Sequence, residues 1–150
     1  MPTVAPATAT AAAPTAANTR ARGLIATQRN AAIFWKVMPG YRDLLAQLRG
    51  EIDEIDTANA RELTDAVFVD VREQDEWDEG HIPGALYLGR GNLESRIETA
   101  VPDKTQPIVV YCAAGNRSVF ATKTLEALGY ENVSSLAGGY VDWKRNGFPT

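Results

Sequence analysis

The chain contains a single cysteine, Cys112, and the residues around it determine what that thiol can do. The run Tyr111-Cys112-Ala113-Ala114-Gly115-Asn116-Arg117-Ser118 leads from the apolar stretch PIVVY into a helical pattern. A turn of small residues around Gly115 lets successive backbone N–H groups converge as an anion-binding nest, and the helix behind it adds the positive end of its dipole. Arg117 supplies a fixed cation in the same loop. A thiol in such a field is pulled from about 8.5 toward neutrality or below, and the thiolate is the nucleophile. Taken alone, one cysteine reads as a small buried hydrophobe; strand, turn, arginine and helix together favour the reactive reading.

Such a loop has to sit at the carboxyl edge of an open sheet, where α/β proteins bind ligands. The surrounding pattern predicts that sheet. Ala66–Val71 (AVFVDV) and Pro107–Tyr111 (PIVVY) are short β-branched runs typical of buried strands, with two more expected at Ala85–Leu88 and Asn132–Leu136. Between them fall helical stretches, the clearest being Ser118–Leu128 with Gly129 as its stop. Upstream, Leu44, Leu45 and Leu48 mark a helix over Tyr41–Arg49 ending at Gly50. A brief extended piece around Ile52 and Ile55 then precedes a helix capped by Thr57. Strands alternating with helices give an α/β domain with a mainly parallel sheet.

Residues 1–40 read differently. The opening segment is almost wholly Ala, Thr and Pro, too poor in large apolar side chains to offset chain entropy, so it is expected to be a disordered tail. An organellar transit peptide is the alternative, because the segment lacks acid and carries Arg and hydroxyl residues. Residues 41–150 form the one expected domain. Residues 1–42 hold five basic and no acidic side chains, leaving an acidic body. That balance argues against nucleic acid, whose binding rests on clustered Lys and Arg. No run approaches the roughly 20 apolar residues that span a bilayer. One cysteine and one histidine cannot build a four-ligand zinc site or an internal disulfide, and a lone thiol suits a reducing, cytoplasmic setting.

Four segments, in order, resemble the rhodanese family: VDVREQDEWDEGHIPGA (Val69–Ala85), IVVYCAAGNRS (Ile108–Ser118), ALGYENV (Ala127–Val133) and LAGGYVDWKRNGFPT (Leu136–Thr150). The resemblance covers about two thirds of the chain. It implies a rhodanese-like fold with a five-stranded parallel sheet flanked by helices on both faces. It also implies a thiosulfate sulfurtransferase activity in which Cys112 is the catalytic nucleophile and holds sulfur as a persulfide. Ala113, Ala114, Gly115, Asn116 and Arg117 would bind the substrate, with Arg117 as the thiosulfate-binding cation and Ser118, Asp70 and Arg72 in support. Thiosulfate or another small donor would load the thiol, and a thiol, cyanide or a sulfur-carrier protein would unload it. No metal or organic cofactor is implied, and no membrane or nucleic-acid partner; a monomer is expected.

Two other functions use the same thiol. A non-catalytic rhodanese module would bind a partner or sense redox state. A cysteine phosphatase or arsenate reductase would need its arginine at the sixth position after the cysteine, whereas Arg117 lies at the fifth.

Outside the loop, Asp70 and Arg72 could orient it by charge pairing or merely fasten their own segment. His81 sits among Gly80, Pro83 and Gly84 and reads as a turn residue rather than a base. The acidic run Asp75–Glu79 reads as a solvated helix face, and Trp143 as a packing anchor. Gly89–Glu98 (GRGNLESRIE) resembles rhodanese modules joined to adenylyltransferases that activate sulfur carriers.

Overall fold

A computed structural model describes residues 40–150; apart from Gly40, the expected tail lies outside the described residues. The elements are α1 (Tyr41–Glu51), β1 (Asp53–Ile55), α2 (Thr57–Arg61), β2 (Val67–Asp70), α3 (Gln74–Glu79), β3 (Leu86–Tyr87) and a 3-10 turn at Arg90–Asn92. They continue with α4 (Leu93–Ala100), β4 (Ile108–Tyr111), α5 (Arg117–Ala127), β5 (Val133–Leu136) and α6 (Gly139–Arg145). The five strands form one sheet in the order β1-β5-β4-β2-β3, and every pairing is parallel.

The two-residue alternation of a strand divides the core. On β4, Ile108 and Val110 point, with Cys112 beyond them, into an apolar layer that also holds Leu93 and Ile97 of α4 and Leu125 of α5. Val109 and Tyr111 point the other way, toward Ala60 of α2 and Tyr140 and Trp143 of α6. Helices therefore cover both faces. All four residues of β4 are buried, which is why PIVVY is an unbroken apolar run. Trp143 anchors α6, its indole N–H donating to Pro149 O at 2.8 Å.

Several boundaries depart from expectation. Each strand read as an apolar run is one residue shorter at one or both ends. Helix α1 does not stop at Gly50 but continues to Glu51, and the Ile52 N–H bonds back to Leu48 O. The cost of a helical glycine, about 1 kcal/mol, is overridden because the chain leaves the helix only where buried Ile52 leads into β1. The cap of α2 is Asp56 rather than Thr57: its carboxylate accepts the Asn59 N–H at 2.8 Å. Thr57 instead turns inward, accepting from Asn146 Nδ2 at 2.8 Å.

Candidate active site

The chain leaves β4 at Tyr111, so Cys112 stands at the carboxyl edge of the central strand. The loop after it doubles back through Gly115, whose φ is +91°. A Cβ at Gly115 would lie 3.1 Å from Gly138 N and 3.2 Å from Leu136 O, so both conformation and space call for glycine. This fold-back brings two main-chain donors to the sulfur: Gly115 N–H at 3.2 Å and Ser118 N–H at 3.4 Å. The thiol in turn faces Ser118 Oγ at 3.5 Å, which is hydrogen-bonded to Ser135 Oγ of β5 at 2.8 Å. Cys112 is only 1% exposed, recessed beneath its loop yet turned toward the donors.

The loop's carbonyls are held from outside. Tyr140 N–H donates to Cys112 O at 2.8 Å and Val141 N–H to Ala113 O at 3.0 Å. Gly139 makes this approach possible, since a Cβ there would lie 2.6 Å from both carbonyl oxygens. In a planar trans peptide the N–H opposes the C=O, so these bonds turn the Ala113 and Ala114 amides away from α6. Among the described residues the amides of Ala113, Ala114, Asn116 and Arg117 have no protein acceptor, leaving four further donors in the loop whose Gly115 and Ser118 amides meet the sulfur.

Arg117, expected to meet the substrate, is engaged with Glu76 of α3 through two bonds of 2.8 Å. Hydrogen bonding to Arg117 lowers the Glu76 carboxyl from 4.5 to about 2, and Glu76 raises the Arg117 guanidinium in return. The acidic run is thus more than a solvated face. Sequence reasoning also missed Arg49 of α1, whose Nη2 donates to Gly115 O at 3.1 Å and to Asn116 Oδ1 at 2.9 Å. No local signal marks that contact, because the partners are 66 and 67 residues apart.

Asp70 and Arg72 pair with each other. Arg72 Nε reaches both Asp70 oxygens at 3.0 Å, while Nη2 reaches Asp70 Oδ2 and Gly80 O, each at 2.7 Å. Burial is the largest single influence and works against the Arg72 charge, but the Asp70 bonds together with the charge attraction of Asp70, Tyr111 and Glu76 outweigh it and leave the guanidinium raised. Neither residue hydrogen-bonds the cysteine loop. Their route to it is indirect: Arg72 lies 4.2 Å over the Tyr140 ring, and Tyr140 holds the Cys112 carbonyl. His81 stacks on Trp77 with ring centroids 3.5 Å apart, its Nδ1 lying 3.2 Å from Trp77 O. It makes no bond to Cys112.

A cleft of about 320 Å³ opens beside Ala113, bordered by Arg72, Glu76, Tyr140, Val141 and Lys144. Among the described residues no three His, Cys, Asp or Glu side chains converge to hold a metal ion, and no helix is long and apolar enough to cross a membrane.

Parallel sheet and amide-lined cysteine loop define a class: α/β proteins that present a cysteine sulfur at the carboxyl end of a central strand. The family model for the rhodanese-like domain matches residues 52–146. The thiosulfate sulfurtransferase GlpE of Coxiella burnetii is 41% identical over 80 residues, 53% of this chain and 73% of the relative. The human single-domain sulfurtransferase TSTD1 superposes with a TM-score of 0.57 at 28% identity, covering 61% of this chain and 95% of that one. A Rhodopseudomonas palustris protein of unknown function, described as a possible tyrosine phosphatase, superposes with a TM-score of 0.70 at 31% identity, covering 75% and 94%. The chain belongs to the rhodanese-like domain family and is a sulfurtransferase enzyme.

Proposed function

We propose that the enzyme moves sulfane sulfur from thiosulfate, through a persulfide on Cys112, to a thiol, cyanide or a sulfur-carrier protein. The observation that carries this reading is the pair of amides, Gly115 and Ser118, aimed at Sγ. The Cys112 thiolate attacks the outer sulfur of thiosulfate; the S–S bond of the donor breaks and its electron pair leaves with sulfite. The acceptor then attacks the outer sulfur of the persulfide, and the pair from that S–S bond returns to Cys112 as thiolate. Covalent transfer of this kind is ping-pong nucleophilic catalysis. The four unpartnered amides of the loop suit the terminal, partly anionic sulfur, and preorganised donors cost no reorganisation when charge arrives. The covalent adduct is the only sulfur carrier the cycle needs. Residues 41–150 would be the catalytic body, acting as a monomer in a reducing, cytoplasmic setting.

The test is to incubate the protein with thiosulfate and measure intact mass. A gain of one sulfur atom, lost again on adding cyanide or a thiol and absent in Cys112→Ser, supports the cycle; a wild-type protein that gains no sulfur refutes it. Oxidation without turnover would instead favour the sensing module, against which the 1% exposure of Cys112 counts, because oxidant-sensing thiols are solvent-accessible. A phosphatase reading draws on the R. palustris neighbour, but the loop has one residue fewer than such chemistry uses and Arg117 is held by Glu76. Hydrolysis of an aryl phosphate by the wild type would reverse that preference.

A further inference from the structure

Helix α5 begins in an unusual way. Its N-cap is Asn116, a residue whose side chain ordinarily accepts the N–H of the second or third helical residue, yet here it makes no cap hydrogen bond. The second helical residue is Ser118, and its N–H is one of the two amides on Cys112 Sγ. A capping Asn116 would compete directly with the sulfur for that donor, as Asn side chains do with neighbouring backbone groups. Two things prevent it: the Asn116 backbone is helical (φ −96°, ψ −52°) rather than extended, and Nη2 of Arg49 draws Asn116 Oδ1 to itself at 2.9 Å.

We propose that Arg49 is a positioning residue for the active loop, which keeps Asn116 from capping α5 and so reserves the Ser118 amide for sulfur. The same Nη2 holds the Gly115 carbonyl at 3.1 Å. Because that peptide is planar and trans, the grip also fixes the following Asn116 N–H on the opposite side, where it has no protein partner among the described residues. Glu54 steadies the guanidinium, its Oε1 lying 3.5 Å from Nε. Arg49 lies on helix α1, before the residues matched by the family model. The proposal rests on reading Cys112 as the sulfur carrier.

The test compares wild type, Arg49→Ala and Arg49→Ala/Asn116→Ala by the pH dependence of Cys112 alkylation with iodoacetamide, and by thiosulfate turnover. Losing a hydrogen bond to a charged sulfur should raise the alkylation midpoint by about one pH unit in Arg49→Ala, with a loss in turnover. The second substitution removes the competing side chain and should restore most of the midpoint. A general structural role for Arg49 would give no such rescue. An unchanged midpoint in the single variant, or an unrescued one in the double, overturns the proposal. A wild type that forms no sulfur adduct overturns the sulfur-carrier reading instead, and the alkylation series still decides the role of Arg49.

Discussion

Two arginine–carboxylate pairs flank the same end of the sheet, and they behave as opposites. Asp70 and Arg72 are two residues apart, 0% and 4% exposed, joined through Nε and Nη2 and backed by Gly80 O and the Tyr140 ring. Glu76 and Arg117 are 41 residues apart, with side chains 29% and 38% exposed. A buried pair is costly to break, because the survivor keeps its charge without water. A half-exposed pair contributes little, about 0–1 kcal/mol, so its partners can be exchanged. One pair fastens its segment of the site; the other is exposed enough to exchange partners. That division gives each part of the Asp70, Arg72 and Arg117 assignments a distinct physical meaning.

The largest effect should come from the buried pair. Arg72→Ala strands the Asp70 carboxylate in the core and strips the rest from Tyr140, so unfolding should become easier by about 3–5 kcal/mol, measured by chemical denaturation. A loss below about 1 kcal/mol would place Arg72 with Arg117 and erase the contrast.

The exchangeable pair should shift kinetics more than stability. Arg117→Ala is expected to cost the fold about 0–1 kcal/mol while lowering kcat/KM for thiosulfate about tenfold, the loss of a charge-assisted contact to the dianion. Glu76→Gln should do the reverse, lowering KM severalfold, because the carboxylate that competes with the donor for Arg117 is gone. Steady-state kinetics on both variants decide this, and an unchanged thiosulfate KM in Glu76→Gln would mean that Arg117 never leaves its partner.

Much of this edge was legible in the residue pattern, and the rest was hidden for identifiable reasons. The alternation in IVVY and the small residues after Cys112 are local signals, and they locate both the central strand and the loop. The twin glycines Gly138 and Gly139 stood in a recognisable segment, but their purpose depends on backbone approach: Gly139 lets α6 reach two loop carbonyls. Glu76 lay in an acidic stretch whose charge pattern suggested only water, because its partner comes from a different part of the chain. Arg49 had no pattern at all. Thr57 was the expected cap of α2; geometry chose the neighbouring Asp56 carboxylate, and a contact with Asn146 claimed the Thr57 hydroxyl.

The smallest effect is a dependence on pH that isolates the open pair. Glu76 titrates at about 2 in the fold against an ordinary 4.5, because the Arg117 bonds favour its charged form. A depressed carboxyl contributes stability that is fully present above the unfolded value and fades as pH falls from 4.5 toward about 2. Since both side chains are partly in water, screening holds the contribution to about 0–1 kcal/mol. The difference in denaturation free energy between wild type and Glu76→Gln should therefore be constant from pH 7 to pH 5, shrink from there to pH 3, and be reduced by added salt at neutral pH. If the difference instead grew on acidification, the carboxylate would be paying a net cost in the fold, and the Glu76–Arg117 pair would be strained rather than exchangeable.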